Sequence, residues 1–387
     1  MIAVFALLAA PAHAAPQLLT IDLPSAGNVD AAQPLFNNRV TGLRAKVLLP
    51  DGFDPQRRYP VLYLLHGISD DYRVWADRRY GDIATVAGDQ GAIVVMPEGG
   101  RGFFVDWYGR PGRAWARYEL DEVVPEIERR FPILPGREHH AIAGISMGGY
   151  GALALAARAP GYFGTAVSIS GIVDIRQMRT PALFDWWVRA PYTAMLGPVG
   201  GPFARAHELE RLAPNLRDTR VLIATGNGTV VPQARDPLWS MLVLSNTERF
   251  LDGSATTITR SLRSAGVDVT FRRASGIHDW WYWRRDLRWA ETAWGLFGGA
   301  PVSPSSWTYA TIDRFGTAWD LRYAFAERPR ALVTLRRDGD VLRADGRGTV
   351  TVTTAAGCAV TADLPFTLTL PRERCPASSP STGGTPG

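Results

Sequence analysis

The sequence predicts an α/β fold, a mostly parallel sheet with helices on both faces, followed by a small all-β sandwich-like domain. Three observations carry this reading. Apolar runs of strand length alternate with amphipathic stretches of helix length over residues 60–297, the pattern of strands joined by crossover helices. Within that region, Ala141-Ile-Ala-Gly-Ile-Ser-Met-Gly-Gly-Tyr-Gly-Ala-Leu153 places an apolar strand, a Gly-x-Ser-x-Gly turn and a helix-forming Ala/Leu run in immediate succession. After a Pro-, Ser- and Gly-rich stretch at 299–306 the pattern changes to short alternating segments with turn signals between them, as in small β-sandwiches.

Taken in order, residues 17–23 and 39–49 alternate like strands, the second closed by Pro50-Asp-Gly52. Residues 61–65 and 92–96 are continuous apolar runs, expected of central strands covered on both faces. Residues 114–131 carry apolar positions at helical spacing, with Glu and Arg between them. Past the serine turn, 165–169 reads as a strand. Residues 171–219 read as an irregular cap or insertion, rich in Pro, Gly and Trp. A strand at 220–224, a helix at 238–265, a strand at 267–271 and a last helix at 284–297 follow. Beyond the linker, 331–335, 348–353 and 366–370 alternate, with Asp338-Gly339 and Asp345-Gly346 as turns. Strand–helix alternation joined to a Gly-x-Ser-x-Gly turn defines the α/β-hydrolase arrangement. The expected limits are a signal peptide at 1–14, the catalytic domain at 15–298, a linker at 299–306, the β domain at 307–375 and a disordered tail at 376–387.

A chain of 387 residues with 46% hydrophobic residues has room for one large core and a smaller one. Net charge is +5, and Lys46 is the only lysine. The arginines are dispersed among acids, Arg129 and Arg130 beside Glu126 and Glu128 for instance, and form no basic stripe. Nucleic acid is therefore excluded as an expected partner. Residues 1–14 form an apolar stretch ending in Ala12-His-Ala14, the shape of a secretory leader and too short to span a bilayer. Two cysteines, Cys358 and Cys375, are expected to pair in an exported chain. Neither has a histidine nearby and no ligand cluster occurs, so no metal and no cofactor are expected.

A serine hydroxyl becomes a useful nucleophile only when a base takes its proton. Ser146, at the centre of Gly144-Ile-Ser-Met-Gly148, is the nucleophile candidate. The Met147 N–H opens the following helix and is the first oxyanion donor. In this fold the partners follow in the order serine, acid, histidine. Of six histidines, His13 lies in the leader, His139 and His140 precede the serine's strand, and His207 lies in the insertion. His278, in Gly276-Ile-His-Asp279 after the last strand, is the base candidate. His66, in Leu64-Leu-His-Gly67, ends an early strand where this fold takes its second oxyanion donor, assigned to the Ile68 N–H. The His66 side chain is expected to shape that loop. Together with Trp107, Trp280 and Trp281 it is also a candidate lining of an acyl pocket. The acid must follow strand 220–224. Asp236 and Glu248 both qualify, Asp252 less well, and proximity to the strand favours Asp236.

The same stretches resemble the secreted mycolyltransferases and the wider esterase-D-like group of α/β-hydrolases. The matching pieces run in order over residues 60–297. They are Leu-Leu-His-Gly with Asp70-Asp-Tyr72 and Trp75; Asp106-Trp-Tyr108; Gly144-Ile-Ser-Met-Gly148; Met195-Leu-Gly-Pro198; Gly226-Asn-Gly-Thr229; and His278-Asp-Trp-Trp-Tyr-Trp283. The family's acid is a glutamate followed by x-Phe about thirty residues before the histidine. Glu248-Arg-Phe250 matches it, so the resemblance implies Glu248, with Thr247 and Arg249 at hand to hold it. The mycolyltransferase loop Asp-Gly-Leu-Arg, which helps hold the sugar acceptor, here reads His66-Gly-Ile-Ser69. The family's core disulfide has no counterpart, and the chain beyond 306 lies outside the resemblance. The expected activity is that of an exported serine carboxylic-ester hydrolase acting through an acyl-enzyme on Ser146. The alternatives are an acyltransferase that passes the acyl chain to a sugar or glycerolipid hydroxyl, and a non-catalytic cell-surface binding protein on a hydrolase scaffold. A small-molecule, lipid or glycan ester is the expected substrate, with association to the cell envelope.

Overall fold

The computed structural model describes residues 16–30, 43–87, 90–110, 112–179, 188, 190–231, 238–299 and 303–371. The expected leader, Asp236, Cys375 and the tail lie outside them. Eight strands form the main sheet: β1 (Gln17–Asp22), β2 (Arg44–Leu49), β3 (Val61–Leu65), β4 (Ile93–Pro97), β5 (His140–Ile145), β6 (Thr165–Ile169), β7 (Arg220–Gly226) and β8 (Val269–Ala274). Their spatial order is β1-β2-β4-β3-β5-β6-β7-β8. β2 is antiparallel to both neighbours, and the six strands from β4 to β8 run parallel.

The continuous apolar runs reflect burial on both sides. Along β3, Val61, Tyr63 and Leu65 enter one core, while Leu62 and Leu64 enter the core on the opposite face. Ile93 and Val95 against Val94 and Met96 divide in the same way. The period of two along a strand sends alternate residues to opposite faces, so no position between two helix layers is left for a polar residue.

Helical segments fall close to where the spacing predicts them. Residues 115–130 form one helical stretch whose middle turn, Tyr118–Val123, is wider than α. The helix Leu238–Ser264 covers the predicted 238–265. The last helix starts at Trp280 rather than residue 284, because Asp279 caps it: its carboxylate accepts from the Trp281 N–H at 3.0 Å. β8 begins two residues later and ends three residues later than predicted, Val269–Ala274 against 267–271.

The C-terminal region is two four-stranded antiparallel sheets packed on one core. One has the order β10-β11-β14-β15 and the other β16-β13-β12-β9. The strands are β9 (Ser306–Thr311), β10 (Phe315–Ala318), β11 (Leu321–Phe325), β12 (Val333–Asp338), β13 (Val341–Asp345), β14 (Thr349–Thr353), β15 (Ala359–Asp363) and β16 (Phe366–Thr369). Ser306, expected in the linker, already belongs to β9. Inward residues such as Trp307, Tyr309, Leu335, Leu342 and Val352 fill the space between the sheets. Cys358 is buried between β14 and β15.

The sandwich is bolted to the larger unit. Asn215 donates to the Ala310 carbonyl (2.9 Å) and accepts from its N–H (2.7 Å). The Arg158 guanidinium pairs with Asp313 at 3.0 Å, and the Tyr309 hydroxyl donates to the Arg158 carbonyl.

Candidate active site

β5 ends at Ile145 and the helix Met147–Arg158 begins two residues later. Ser146 alone makes the turn, with φ 51° and ψ −116°. That conformation is costly for a residue with a side chain. The flanking glycines make it possible by close approach. A Cβ on Gly144 would meet the Gly148 carbonyl oxygen at 2.3 Å, and one on Gly148 would meet the His66 carbonyl oxygen at 2.6 Å. The turn is therefore pressed against the end of β3, which sets Ser146 beside the loop at residues 66–68.

His278 Nε2 lies 3.1 Å from Ser146 Oγ, and its Nδ1 lies 2.9 Å from Glu248 Oε2. The other oxygen of Glu248 accepts three bonds: from the Ser170 hydroxyl (2.6 Å), the Thr225 hydroxyl (3.1 Å) and the Gly226 N–H (2.6 Å). Glu248 is wholly buried (0% exposed). Burial alone would raise its pKa. The hydrogen bond and charge of His278, with the Ser170 and Gly226 donors, outweigh burial and leave the carboxylate below its ordinary value. Such a chain can hold the proton of His278 on Nδ1 and leave Nε2 free to take one from Ser146.

Glycines bring the loops together here too. A Cβ on Gly226 would meet the Gly276 carbonyl at 2.5 Å, and the Gly228 N–H donates to that carbonyl at 2.7 Å. The His278 N–H donates to the Leu244 carbonyl (3.2 Å), tying the histidine loop to the helix that carries Glu248.

The two expected oxyanion donors, the N–H groups of Ile68 and Met147, carry no hydrogen bond among the described residues. His66 does not line a pocket as expected; it is 1% exposed. Its Nδ1 donates to the Gly67 carbonyl (2.7 Å), and its Nε2 accepts from the Gly99 N–H (2.9 Å). Glu98, 3.6 Å away, and the Gly67 carbonyl draw the His66 pKa up against burial. The Gly99 N–H aimed at Nε2 nevertheless requires the neutral ring. The Gly67 carbonyl and the Ile68 N–H belong to one trans peptide and point in opposite directions. By holding the oxygen, His66 aims the N–H.

The aromatic run after His278 chiefly packs. Trp283 meets the His278 ring edge-to-face at 4.9 Å, Trp280 packs on Trp283 (5.1 Å) and Trp75 (5.0 Å), and Trp281 meets Tyr282 edge-to-face at 4.9 Å. Trp107 is buried, its indole N–H on the Gly102 carbonyl and the Arg113 guanidinium 4.5 Å above its ring. Thr247 and Arg249 do not hold Glu248: Thr247 bonds the Val243 carbonyl, and Arg249 reaches Asn246.

Sequence reasoning missed Ser170 and Thr225. Ser170 and Thr225 carry a weak signal, a hydroxyl residue just past or at the end of a parallel strand. Asp70, met only inside a motif, lies over Gly67. A Cβ there would come within 2.8 Å of Asp70 Oδ2 and 3.7 Å of Ser146 Cβ. Burial raises the Asp70 pKa, opposed by the Gly67 N–H.

The antiparallel β2 in an otherwise parallel sheet, with serine on a strained strand–helix turn and histidine after the last strand, defines an α/β-hydrolase. Solved structures share the fold. MPT51 of Mycobacterium tuberculosis matches with TM-score 0.57 and 22% identity over 74% of this chain and 99% of that one. The S-formylglutathione hydrolase FrmB of Staphylococcus aureus matches with TM-score 0.56 and 20% identity over 73% and 100%. The chain belongs to the esterase family, whose model matches residues 41–292. Esterase Rv1288 of Mycobacterium tuberculosis is 36% identical over 140 residues, which are 34% of this chain and 29% of that protein. The match thus spans under a third of that relative's length. The diacylglycerol acyltransferase/mycolyltransferase Ag85A of Mycobacterium gordonae is 31% identical over 251 residues, 58% of this chain and 69% of that one.

Proposed function

We propose that the chain is an exported serine carboxylic-ester hydrolase and that Ser146, His278 and Glu248 are its catalytic triad. The hydrogen-bonded line from Ser146 Oγ through His278 to the buried Glu248 is the observation that carries this reading. His278 Nε2 takes the Ser146 proton as Oγ attacks the ester carbonyl. The Ile68 and Met147 N–H groups receive the oxyanion. Collapse of the tetrahedral species passes the proton from His278 to the departing alcohol and leaves Ser146 acylated. Water, deprotonated by the same nitrogen, attacks the acyl-enzyme and releases the acid. Glu248 keeps the proton on Nδ1 and stabilises the imidazolium at both stages.

Transfer to a sugar or glycerolipid hydroxyl would use the same acyl-enzyme, and the Ag85A likeness supports it as a second reading. Hydrolysis is preferred because the loop His66-Gly67-Ile68-Ser69 offers an acceptor no charged side chain, and His66 itself is turned inward. The sandwich is proposed as a separate domain. Export, envelope association and a Cys358–Cys375 disulfide go with the leader-like residues 1–14.

One experiment tests both readings. The protein is acylated with a p-nitrophenyl ester and quenched for peptide mass spectrometry, and products are compared with and without trehalose or diacylglycerol. The acyl mass is expected on Ser146 in wild type and absent in Ser146→Ala, with free acid as the main product throughout. An acyl group elsewhere overturns the nucleophile. Acylated acceptor in excess over free acid moves the reading to transfer.

A further inference from the structure

We propose that a trench along the sandwich, reaching the larger unit at one end, is a second binding site, and that it takes an anionic polysaccharide. Two hollows, of about 870 and 660 Å³, share Ala326, Glu327 and Arg328 and so form one elongated trench. The first lies between the β11–β12 loop, which carries Arg328 and Arg330, and the β13–β14 loop, which carries Arg347. The second runs from Arg314 and Phe315 of the sandwich to Asp106 and Arg117 of the larger unit. Its lining shares no residue with the triad, and the inference does not depend on the proposed catalysis.

Charge decides the class of ligand. Asp106 is neutralised by Arg117 at 3.0 Å, and Asp313 by Arg158 at 3.0 Å. That leaves Arg314, Arg328, Arg330 and Arg347 facing the trench with Glu327 as the one unpaired acid among its described lining residues. None of these four arginines has a carboxylate partner among the described residues. All four are exposed. Arg129 and Arg130 by contrast share Glu126, and Arg337 pairs with Asp320; what sets the trench arginines apart is that they line one concave surface. A row of unmatched guanidinium groups along a concave surface attracts anions, and each fork fits a carboxylate or phosphate through two parallel bonds.

Shape and floor select among anions. Gly346 and Gly348 adopt φ +143° and +108° on either side of Arg347, and a Cβ on Gly346 would meet Val333 Cγ2 at 2.8 Å. The loop therefore lies directly on β12, with Arg347 set at the trench wall. Exposed Ala331 and half-buried Leu332 add apolar surface to the lining, suited to the C–H faces of sugar rings. The volume suits a ring-bearing chain rather than a single ion. Single-stranded nucleic acid is disfavoured because it needs aromatic platforms for successive bases. The exposed aromatic here is Phe315, with the Arg117 guanidinium already 5.3 Å over its ring.

Affinity electrophoresis of the full chain through gels containing polygalacturonate tests the proposal, with gels of neutral dextran alongside. Retardation by polygalacturonate and none by dextran is expected. The variant R328A/R330A/R347A should bind at least tenfold more weakly, with a shallower dependence of log affinity on log salt. A control, R78A/R79A/R260A, removes three exposed arginines away from the trench and should change binding less than twofold. If the triple variant fails to fold, judged by its circular dichroism, Arg347→Gln alone should weaken binding at least threefold. Equal loss in the control would reduce the effect to net charge and overturn the site. Binding to dextran, tighter binding to duplex DNA or to anionic vesicles than to polygalacturonate, or no retardation at all would each overturn the ligand class.

Discussion

Replacing Glu248 by glutamine is the sharpest test of the proposed triad, because the surrounding network dictates which way the amide must face. Three donors, the Ser170 and Thr225 hydroxyls and the Gly226 N–H, converge on Oε1. Glutamine can satisfy them only by keeping its carbonyl oxygen at that position, since turning the NH₂ there sets donors against donors in a buried site. The NH₂ then takes the place of Oε2, 2.9 Å from His278 Nδ1. A donor facing Nδ1 forces that nitrogen to accept, so the ring proton moves to Nε2, the atom 3.1 Å from Ser146 Oγ. The base is then protonated where it must be empty. The matching change in a serine-protease triad lowers kcat about 10⁴-fold, about 5.4 kcal/mol of barrier. Glu248→Gln is thus expected to lower kcat for p-nitrophenyl ester hydrolysis by 10³–10⁴, with KM little changed and the thermal midpoint within a few degrees of wild type. Stopped-flow measurement should show the loss in the acylation burst itself. Asp236→Asn should change kcat by less than about tenfold. A folded Glu248→Gln enzyme within tenfold of wild type, or a larger loss in Asp236→Asn, would refute the reasoning.

Three further outcomes are expected. His66→Phe leaves the Gly67 carbonyl held by the Asp70 N–H alone, at 3.2 Å, and loosens the aim of the Ile68 N–H; kcat should fall by up to about 10²–10³-fold, the cost of one oxyanion donor, and an unchanged kcat would remove His66 from that role. His207 is buried, donates from Nδ1 to the Phe203 carbonyl and accepts at Nε2 from Arg158; burial and then the Arg158 charge push its pKa down to about 3 from 6.5. The unfolded chain therefore binds the proton first, and stability present above pH 6.5 is lost as pH falls toward 3, by up to about 1.4 kcal/mol per pH unit. Urea midpoints between pH 7 and 4 should fall less steeply in His207→Gln, and parallel curves would contradict this. Alkylation without reductant should leave the intact mass unchanged if Cys358 and Cys375 are paired, and reduction should cost roughly 3 kcal/mol; two alkylated thiols would show them free.

Much of this protein was legible from residue order, because the signals are local. The parallel sheet showed itself as continuous apolar runs, since a strand covered on both faces has no polar side to display. The serine turn showed itself through Gly144 and Gly148, where only a missing Cβ permits the approach. His278 followed from its place after the last strand, and Glu248 from a family pattern, since position in the chain alone pointed to Asp236. What the sequence did not reveal depends on groups that meet only in three dimensions. Ser170 and Thr225 end neighbouring strands and converge on a carboxylate carried by a distant helix, so a hydroxyl at a strand end is the one faint mark their own neighbourhoods carry. His66 read first as a loop former and only second as a pocket wall. Only the packing of Gly99 and Gly67 around its ring turned it inward. The aromatic run at 280–283 read equally as acyl pocket or packing, and the tertiary structure set Trp283 against His278. The arginines of the trench looked dispersed along the chain, because two loops that cross between the sheets and the residue just before β10 had to fold side by side before their charges shared one surface.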